Sequence, residues 1–140
     1  MTLTANADKS ATLVPEARRM EFFPGLFGRS LMLVGERTVF QFMSWLSPQE
    51  YTGGMWHFHE LAGRPLFLSP ATENRFRISC ETNGYQGEVS AEAAGLIATL
   101  FALSHLSFRH ESDHLAEAYL RLYEFAGDHP EAGEIFKAID

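Results

Sequence analysis

The chain has 140 residues and a formal net charge of −7, with 46% hydrophobic, 21% charged and 13% aromatic residues and a single cysteine. This length and composition are typical of one globular domain and exclude an internal disulfide. The 11 Lys and Arg residues form no cluster of the kind that binds phosphate groups, so direct nucleic-acid binding is not expected.

The N-terminal part predicts a polar lead followed by an irregular helical segment. Residues 1–11 are polar and lack the apolar centre of a secretory signal. We expect them to form a disordered lead ahead of a single domain of residues 12–140. Pro15 is placed to occupy a first helical turn. In FFPGLFG (22–28), we expect the Pro-Gly pair and the final glycine to break the chain.

The next segment has helical periodicity. Phe40, Met43 and Leu46 recur at three-residue spacing and end at a Ser-Pro pair. We therefore predict a helix from about Leu31 or Glu36 to Leu46.

The middle of the chain predicts short β-strands. MWHFHEL (55–61), PLFLS (65–69) and RFRISCE (75–81) are rich in β-forming residues and are separated by Gly or Pro turns. The Asn-Gly pair after the third segment predicts a tight turn into a fourth strand, YQGEV (85–89). Turns this short join antiparallel neighbours.

The C-terminal part returns to helical patterns. Ser90 is a preferred N-cap for a helix over 91–107, and the long apolar run of this helix predicts a buried central element too short to span a membrane. A second helix is predicted from about Ser112 or the next residue to Ala126, and a short third one over 130–139. The resulting expectation is an α+β fold: a single domain, soluble and intracellular, with a small antiparallel β-sheet of three to five strands packed with four or five helices.

One short motif suggests metal chemistry. FRHESDH (108–114) contains His110, Glu111 and His114 in the spacing with which zinc peptidases place two ligands one helical turn apart, with a glutamate base between them. The alternative function is therefore a small zinc-dependent hydrolase that uses these three residues. Glu134 lies downstream where some peptidases keep a third ligand, but in a different predicted element.

Two features of the motif favour a different interpretation. Its spacer residues, Ser112 and Asp113, are preferred helix N-caps and predict a helix start rather than a helix middle. On one continuous helix, both histidines would also lie opposite the apolar stripe, on the solvent face, where no cleft restricts water. We therefore predict an interhelical loop followed by a cap, with no metal and no cofactor.

The other histidines and the cysteine have structural interpretations. His57 and His59 alternate on one strand and point to the same side, but two ligands without a third predict half-buried histidines rather than a metal site. His105 lies on the apolar helix and is expected to make a hydrogen bond in the core. Cys80, in an alternating strand pattern, is expected to be a packed thiol.

Several long stretches resemble one protein family. ATLVPEARRMEFFPGLFGR (11–29), GGMWHFHELAGRPLFLSP (53–70), GYQGEVSAEAAGLIATLFALSHLSF (84–108) and HPEAGEIFKAID (129–140) resemble the KlcA/ArdB antirestriction proteins. The resemblance covers nearly the whole chain in order, while the histidine motif falls between the matched blocks. It implies a bacterial, plasmid- or mobile-element-borne α+β protein of the cytoplasm that protects incoming DNA from type I restriction–modification enzymes. It also implies a protein that is not an enzyme and has no catalytic residues to carry over.

The charge of the predicted helix 112–127 bears on mechanism, because some antirestriction proteins of other families imitate DNA. Duplex DNA carries one negative charge per ~1.7 Å, so a mimic of this helix's length, about 24 Å, needs on the order of fourteen charges. The helix offers Asp113, Glu117 and Glu124, partly offset by Arg121. Simple DNA mimicry is therefore a poor account, and a contact with a host restriction-enzyme component is the expected alternative.

The acidic C-terminal region is the first candidate for such a contact. Residues 1–110 carry ten acidic and nine basic side chains, whereas residues 111–140 carry eight acidic and two basic ones. We predict that Glu131, Glu134 and Asp140 form part of an interaction surface for a protein partner. A solvated acidic face kept for solubility explains the same charge equally well.

The aromatic segment near the N-terminus is the second candidate. Phe22, Phe23 and Phe27, with Arg29 close behind, have the composition of an interface hot spot. Core packing is the preferred interpretation, because a chain of this size needs most of its aromatic side chains inside.

Overall fold

The computed structural model describes residues 10–140, so the predicted disordered lead of residues 1–11 lies outside the described residues except for its last two positions. The strands are β1 (Thr12–Leu13), β2 (Trp56–Leu61), β3 (Arg64–Pro70), β4 (Phe76–Cys80) and β5 (Tyr85–Val89). The helices are α1 (Phe22–Phe27), α2 (Met32–Leu46), α3 (Ala91–His110), α4 (Asp113–Gly127) and α5 (Ala132–Ile139). Turns of 3-10 helix occupy Glu16–Glu21 and Arg29–Leu31. The fold is α+β in a single domain, as predicted.

The strands form two antiparallel sheets rather than the one expected. The first sheet has the order β1-β2-β3, and β4 pairs with β5 alone. The hairpin between β2 and β3 turns at Ala62 and Gly63, both with positive φ (51° and 78°), and this backbone twist suits a two-residue connection. The predicted Asn-Gly turn joins β4 to β5, with Gly84 at φ 75°. The two-residue strand β1 was not predicted, because it is too short to have a pattern.

Helix α3 is the centre of the molecule and covers the open edge of β3. The Thr99 hydroxyl accepts a hydrogen bond from the Leu68 N–H at 3.4 Å and donates to the Gly95 carbonyl at 2.8 Å. A Cβ at Gly95 would lie 2.3 Å from both Leu68 O and Ser69 Cα. Only glycine therefore lets the helix approach the strand this closely, and the approach protects the edge from solvent.

The length of α3 differs from the prediction. The helix runs to His110 rather than ending at residue 107. Its length and composition would allow it to cross a membrane, so the prediction that it is too short was wrong. Its burial argues against a membrane span, because 67% of its most apolar 18-residue window is buried within the protein. The Ser90 cap is confirmed, since its Oγ accepts a hydrogen bond from the Ala93 N–H at 3.1 Å.

The segment around Pro24 and Gly25 was predicted wrongly. It does not break the chain there but forms α1, which ends at Gly28 with φ 85°. Pro24 is the third residue of this helix, where an N–H has no intrahelical acceptor and its loss costs little. The Gly28 N–H donates to the Pro24 carbonyl at 2.8 Å, which is the last helical hydrogen bond of this six-residue helix.

Candidate interaction surface

The acidic side chains of residues 111–140 lie on α4, α5 and the segments beside them. Six of the eight are exposed: Glu111, Asp113, Glu117, Glu124, Asp128 and Asp140. The other two, Glu131 and Glu134, are half-buried. Two of the three residues predicted to form the interaction surface are therefore also in contact with the rest of the protein.

Glu131 is bound to the start of α3. Its Oε1 accepts a hydrogen bond from the Ser90 N–H at 2.9 Å, and its Oε2 accepts one from the Ser90 hydroxyl at 2.5 Å. The carboxylate thus satisfies the backbone next to a helix N-terminus, where negative charge is also favoured. These bonds join the α4–α5 connection to the central helix.

His129 forms a second link between the same two elements. The Glu131 N–H donates to His129 Nδ1 at 3.0 Å, so a neutral ring carries its hydrogen on Nε2 and donates to Glu92 Oε2 at 2.8 Å. This hydrogen bond holds the pKa of Glu92 below its usual range. His129 was not among the residues predicted from the sequence to be important. The only sequence signal for its role is its position just before Pro130, in a short connection between two helices.

Glu134 is bound to the second sheet. Its Oε1 accepts a hydrogen bond from the Tyr85 hydroxyl at 2.6 Å, and its Oε2 lies 3.7 Å from the Lys137 ammonium. Burial, followed by the bond to Glu134, raises the pKa of Tyr85 well above its ordinary value. Glu134 can therefore meet a partner only with the part of its carboxylate that remains exposed.

Asp140 is exposed and lies beside the aromatic rings of α4. Burial, then the neighbouring Tyr123 and Asp140, raise the pKa of Tyr119. The three predicted residues therefore lie at the start, in the first turn and at the end of α5, and Asp140 is the only exposed one of the three. Their role in binding a partner stays a prediction.

We predict that Glu131→Ala lowers the free energy of unfolding by about 1–2 kcal/mol, because it removes two charge-assisted hydrogen bonds at the α3 cap. The matched control is Glu124→Ala, an exposed carboxylate on α4, which we expect to change stability by less than about 0.5 kcal/mol. Urea unfolding of both variants measures the difference. Equal stabilities would show that the Ser90 contact contributes nothing.

The histidine motif is divided between two helices. His110 is the last residue of α3, and Glu111 has a left-handed backbone (φ 46°, ψ 48°) that ends the helix. Ser112 caps α4, its Oγ accepting a hydrogen bond from the Leu115 N–H at 3.2 Å, so the predicted loop and cap are confirmed. The exposed His114 places Nε2 2.9 Å from the Gly25 carbonyl oxygen.

This geometry removes the helical spacing on which a zinc peptidase depends. The two imidazoles are separated by a chain reversal rather than by one turn of a continuous helix. Across residues 10–140, no group of three His, Cys, Asp or Glu side chains is arranged to hold a metal ion. The motif therefore offers no support for a hydrolase.

The other histidines follow the predictions in part. His59 is buried, with its ring stacked 4.1 Å from Phe67 and its Nε2 2.8 Å from Ser69 Oγ, whereas His57 is exposed rather than half-buried. The prediction for His105 was wrong: it is exposed and packs edge-on against the ring of Phe42 at 5.8 Å. His105 lies on the solvent-exposed face of α3, next to α2.

The aromatic segment and the cysteine are part of the core. Phe22 and Phe27 are buried, and Phe22 stacks on Phe58 at 4.4 Å, which confirms core packing over an exposed hot spot. Phe23 is half-buried and Arg29 is exposed. Cys80 is a buried free thiol, as predicted.

Comparisons with known proteins agree on one family. A family model described as "Antirestriction protein" matches residues 49–140. Two Escherichia coli proteins named antirestriction protein KlcA are 40% identical over 141 aligned residues (98% of this chain and 99% of the relative) and 43% identical over 136 residues (93% and 92%). A solved structure of the KlcA and ArdB proteins is 41% identical, has a TM-score of 0.83 and covers 94% of each chain. That structure is described as a novel fold with antirestriction activity against type I DNA restriction systems in vivo but not in vitro.

Proposed function

This chain belongs to the KlcA/ArdB family of antirestriction proteins, and from this membership we propose that it protects incoming plasmid or mobile-element DNA from the type I restriction–modification enzymes of a bacterial host. The observation that carries the proposal is the match in sequence and fold along nearly the whole chain to relatives described with that activity. The site of action is the bacterial cytoplasm, where such enzymes meet incoming DNA.

The mechanism we propose is a contact with a protein, without catalysis by this chain. Helix α4 has 15 residues and is about 22 Å long, yet its acidic side chains are only Asp113, Glu117 and Glu124. Duplex DNA carries about thirteen charges over that distance. A charge density several-fold too low supports a protein contact over imitation of DNA.

The activity described for KlcA and ArdB indicates what kind of contact to look for. Activity in vivo but not in vitro supports the proposal that a component of the living cell takes part. We therefore propose that the partner is a restriction-enzyme subunit in its cellular state, or a host protein that acts on it. Direct binding of nucleic acid by this chain is not part of the proposal.

The plating of unmodified phage on a host with a type I restriction system tests the proposed function. Expression of the chain is expected to restore plating to near the level of a restriction-deficient host, while modified phage plates equally in both. A double variant, His110→Ala with His114→Ala, is expected to protect as well as the wild type, because neither imidazole has a catalytic role in the proposal. No protection by the folded, expressed wild type would refute the function.

The acidic surface is tested in the same assay with Glu131→Gln, Glu134→Gln and Asp140→Asn combined. We expect reduced protection, since three charges are lost from the proposed contact. The matched control is Glu16→Gln, Glu73→Gln and Glu81→Gln, which removes three charges from exposed positions elsewhere. Full protection by a normally folded acidic-surface variant would eliminate this region as the contact, whereas equal loss in both variants would attribute the effect to net charge.

A further inference from the structure

Strand β4 has one edge that pairs with no other strand of the described chain. Its other edge pairs with β5, and Arg77 lies opposite Glu88 in that ladder. The Arg77 N–H points away from β5, because it donates to the Glu50 Oε1 at 3.3 Å. Since backbone groups alternate along a strand, the N–H and C=O of Ser79 point to the same free edge.

Two cavities lie along this edge, one on each side of Glu50. The larger, about 350 Å³, is lined by Leu46, Gln49, Arg77, Ile78 and Ser79 among others. The smaller, about 240 Å³, lies between the loop of residues 51–55 and the start of β4 at Phe76. We call the two cavities together the β4 groove.

Glu50 occupies the middle of the β4 groove. Its Oε1 accepts hydrogen bonds from the Ser47 hydroxyl at 3.1 Å and from the Arg77 N–H. The Glu50 carboxylate oxygen therefore occupies the position from which the carbonyl oxygen of a neighbouring strand would accept a hydrogen bond from the Arg77 N–H. The side chain is exposed, so it can swing away and leave this position to another acceptor.

Charge further defines what the groove can bind. The Arg77 side chain is exposed, and across residues 10–140 no carboxylate lies within salt-bridge distance of it; the neighbouring Arg75 is paired with Glu88 at 3.4 Å. Opposite charges on directly facing residues stabilise antiparallel pairs. The buried Leu46 and Ile78 give the larger cavity an apolar floor.

We propose that the β4 groove binds an extended peptide segment of a partner protein as an added strand, with an acidic residue opposite Arg77 and apolar residues on either side of it. The five residues of β4 span about 17 Å, so the segment has about five residues. Main-chain hydrogen bonds to the free edge supply affinity, and the alternating side chains supply selectivity. The proposal rests on the free edge, the exposed Arg77 and the apolar floor of the larger cavity, and it goes beyond the antirestriction function.

Titration of the isotope-labelled full chain with the peptide acetyl-Thr-Val-Glu-Val-Thr-amide, followed by NMR, tests the proposal. The expected result is saturable shifts at the amides of Arg77 and Ser79, with slower hydrogen exchange at Ser79. A peptide N-methylated at the glutamate is expected not to bind, because the N–H of the residue opposite Arg77 points toward β4 and would pair with it. A peptide with lysine in place of glutamate is expected to bind about threefold or more weakly.

Protein variants distinguish the groove from a non-specific surface. Glu50→Ala is expected to strengthen peptide binding about threefold or more, because it frees the Arg77 N–H, whereas Glu73→Ala, an exposed carboxylate of the β3–β4 turn, is expected to change nothing. Absence of shifts along β4 at millimolar peptide, or equal binding of the N-methylated peptide, would overturn the proposal. Either result would leave phage protection unaffected, so failure here is distinguishable from failure of the proposed function.

Discussion

Replacement of Gly95 by alanine is expected to lower the free energy of unfolding by about 3 kcal/mol or more, a large part of the roughly 5–15 kcal/mol typical of a domain. The added Cβ would lie 2.3 Å from Leu68 O and Ser69 Cα, and both are backbone atoms of a strand held on its other side by β2. The helix must therefore move away from β3. That movement also breaks the hydrogen bond between the Leu68 N–H and the Thr99 hydroxyl.

The matched control is Gly133→Ala in α5. A Cβ at Gly133 has no atom within 4 Å, and the residue is exposed and helical, so alanine is expected to raise stability by up to about 1 kcal/mol. Urea unfolding monitored by circular dichroism measures both variants. If Gly95→Ala were as stable as the wild type, α3 would not pack against β3 as described.

Acidification from pH 6.5 to pH 4 is expected to lower the free energy of unfolding by about 3 kcal/mol through His59 alone. Burial lowers the pKa of His59 from 6.5 to about 4, an effect that the nearby Glu92 offsets only in part. Below pH 6.5 the unfolded chain binds a proton at this position, whereas the folded chain does not until about pH 4. The stability is therefore fully present above pH 6.5 and decreases as the pH falls to 4.

The measurement is urea unfolding at several pH values for the wild type, His59→Gln and His57→Gln. The His59→Gln variant is expected to show a much flatter pH dependence over this range, while His57→Gln, which changes an exposed ring with only a minor part in lowering the His59 pKa, is expected to stay close to the wild type. The low pKa of Glu92 adds a further loss of stability at pH values below its ordinary 4.5, so this loss overlaps the His59 window only at its acid end. An unchanged slope in His59→Gln would contradict the assignment.

Local patterns predicted those elements whose causes are local. The Ser90 and Ser112 caps are confirmed because each depends on a hydroxyl and an N–H three residues away. The β4–β5 hairpin is confirmed, and its connection of residues 81–84 depends locally on the positive φ of Gly84 and on the bond from the Tyr85 N–H to Asn83 Oδ1. The prediction at Pro24 was wrong because a Pro-Gly pair usually marks a turn. Proline is tolerated as the third residue of α1 because a 3-10 turn leads directly into this helix.

The remaining features depend on partners distant in sequence. The separation into two sheets follows from the packing of α3 on β3, which requires Gly95, and nothing local distinguishes Gly95 from a weak helix position. The sequence identified Glu131 and Glu134 by charge, but their bonds to Ser90 and Tyr85 span 41 and 49 residues and have no sequence signal. The prediction that His105 lies in the core was wrong because the sequence of an apolar helix does not indicate which of its faces remains exposed to solvent.

We propose that this protein prevents restriction by contact with a protein of the host. The decisive measurement is crosslinking in living cells that express the chain, carry a type I restriction system and show protection of unmodified phage. Identification of the crosslinked proteins is expected to reveal a restriction-enzyme subunit or a protein bound to it, in amounts reduced by the acidic-surface variant. Protection in the same cells with only DNA, or no partner at all, crosslinked to the chain would contradict the claim.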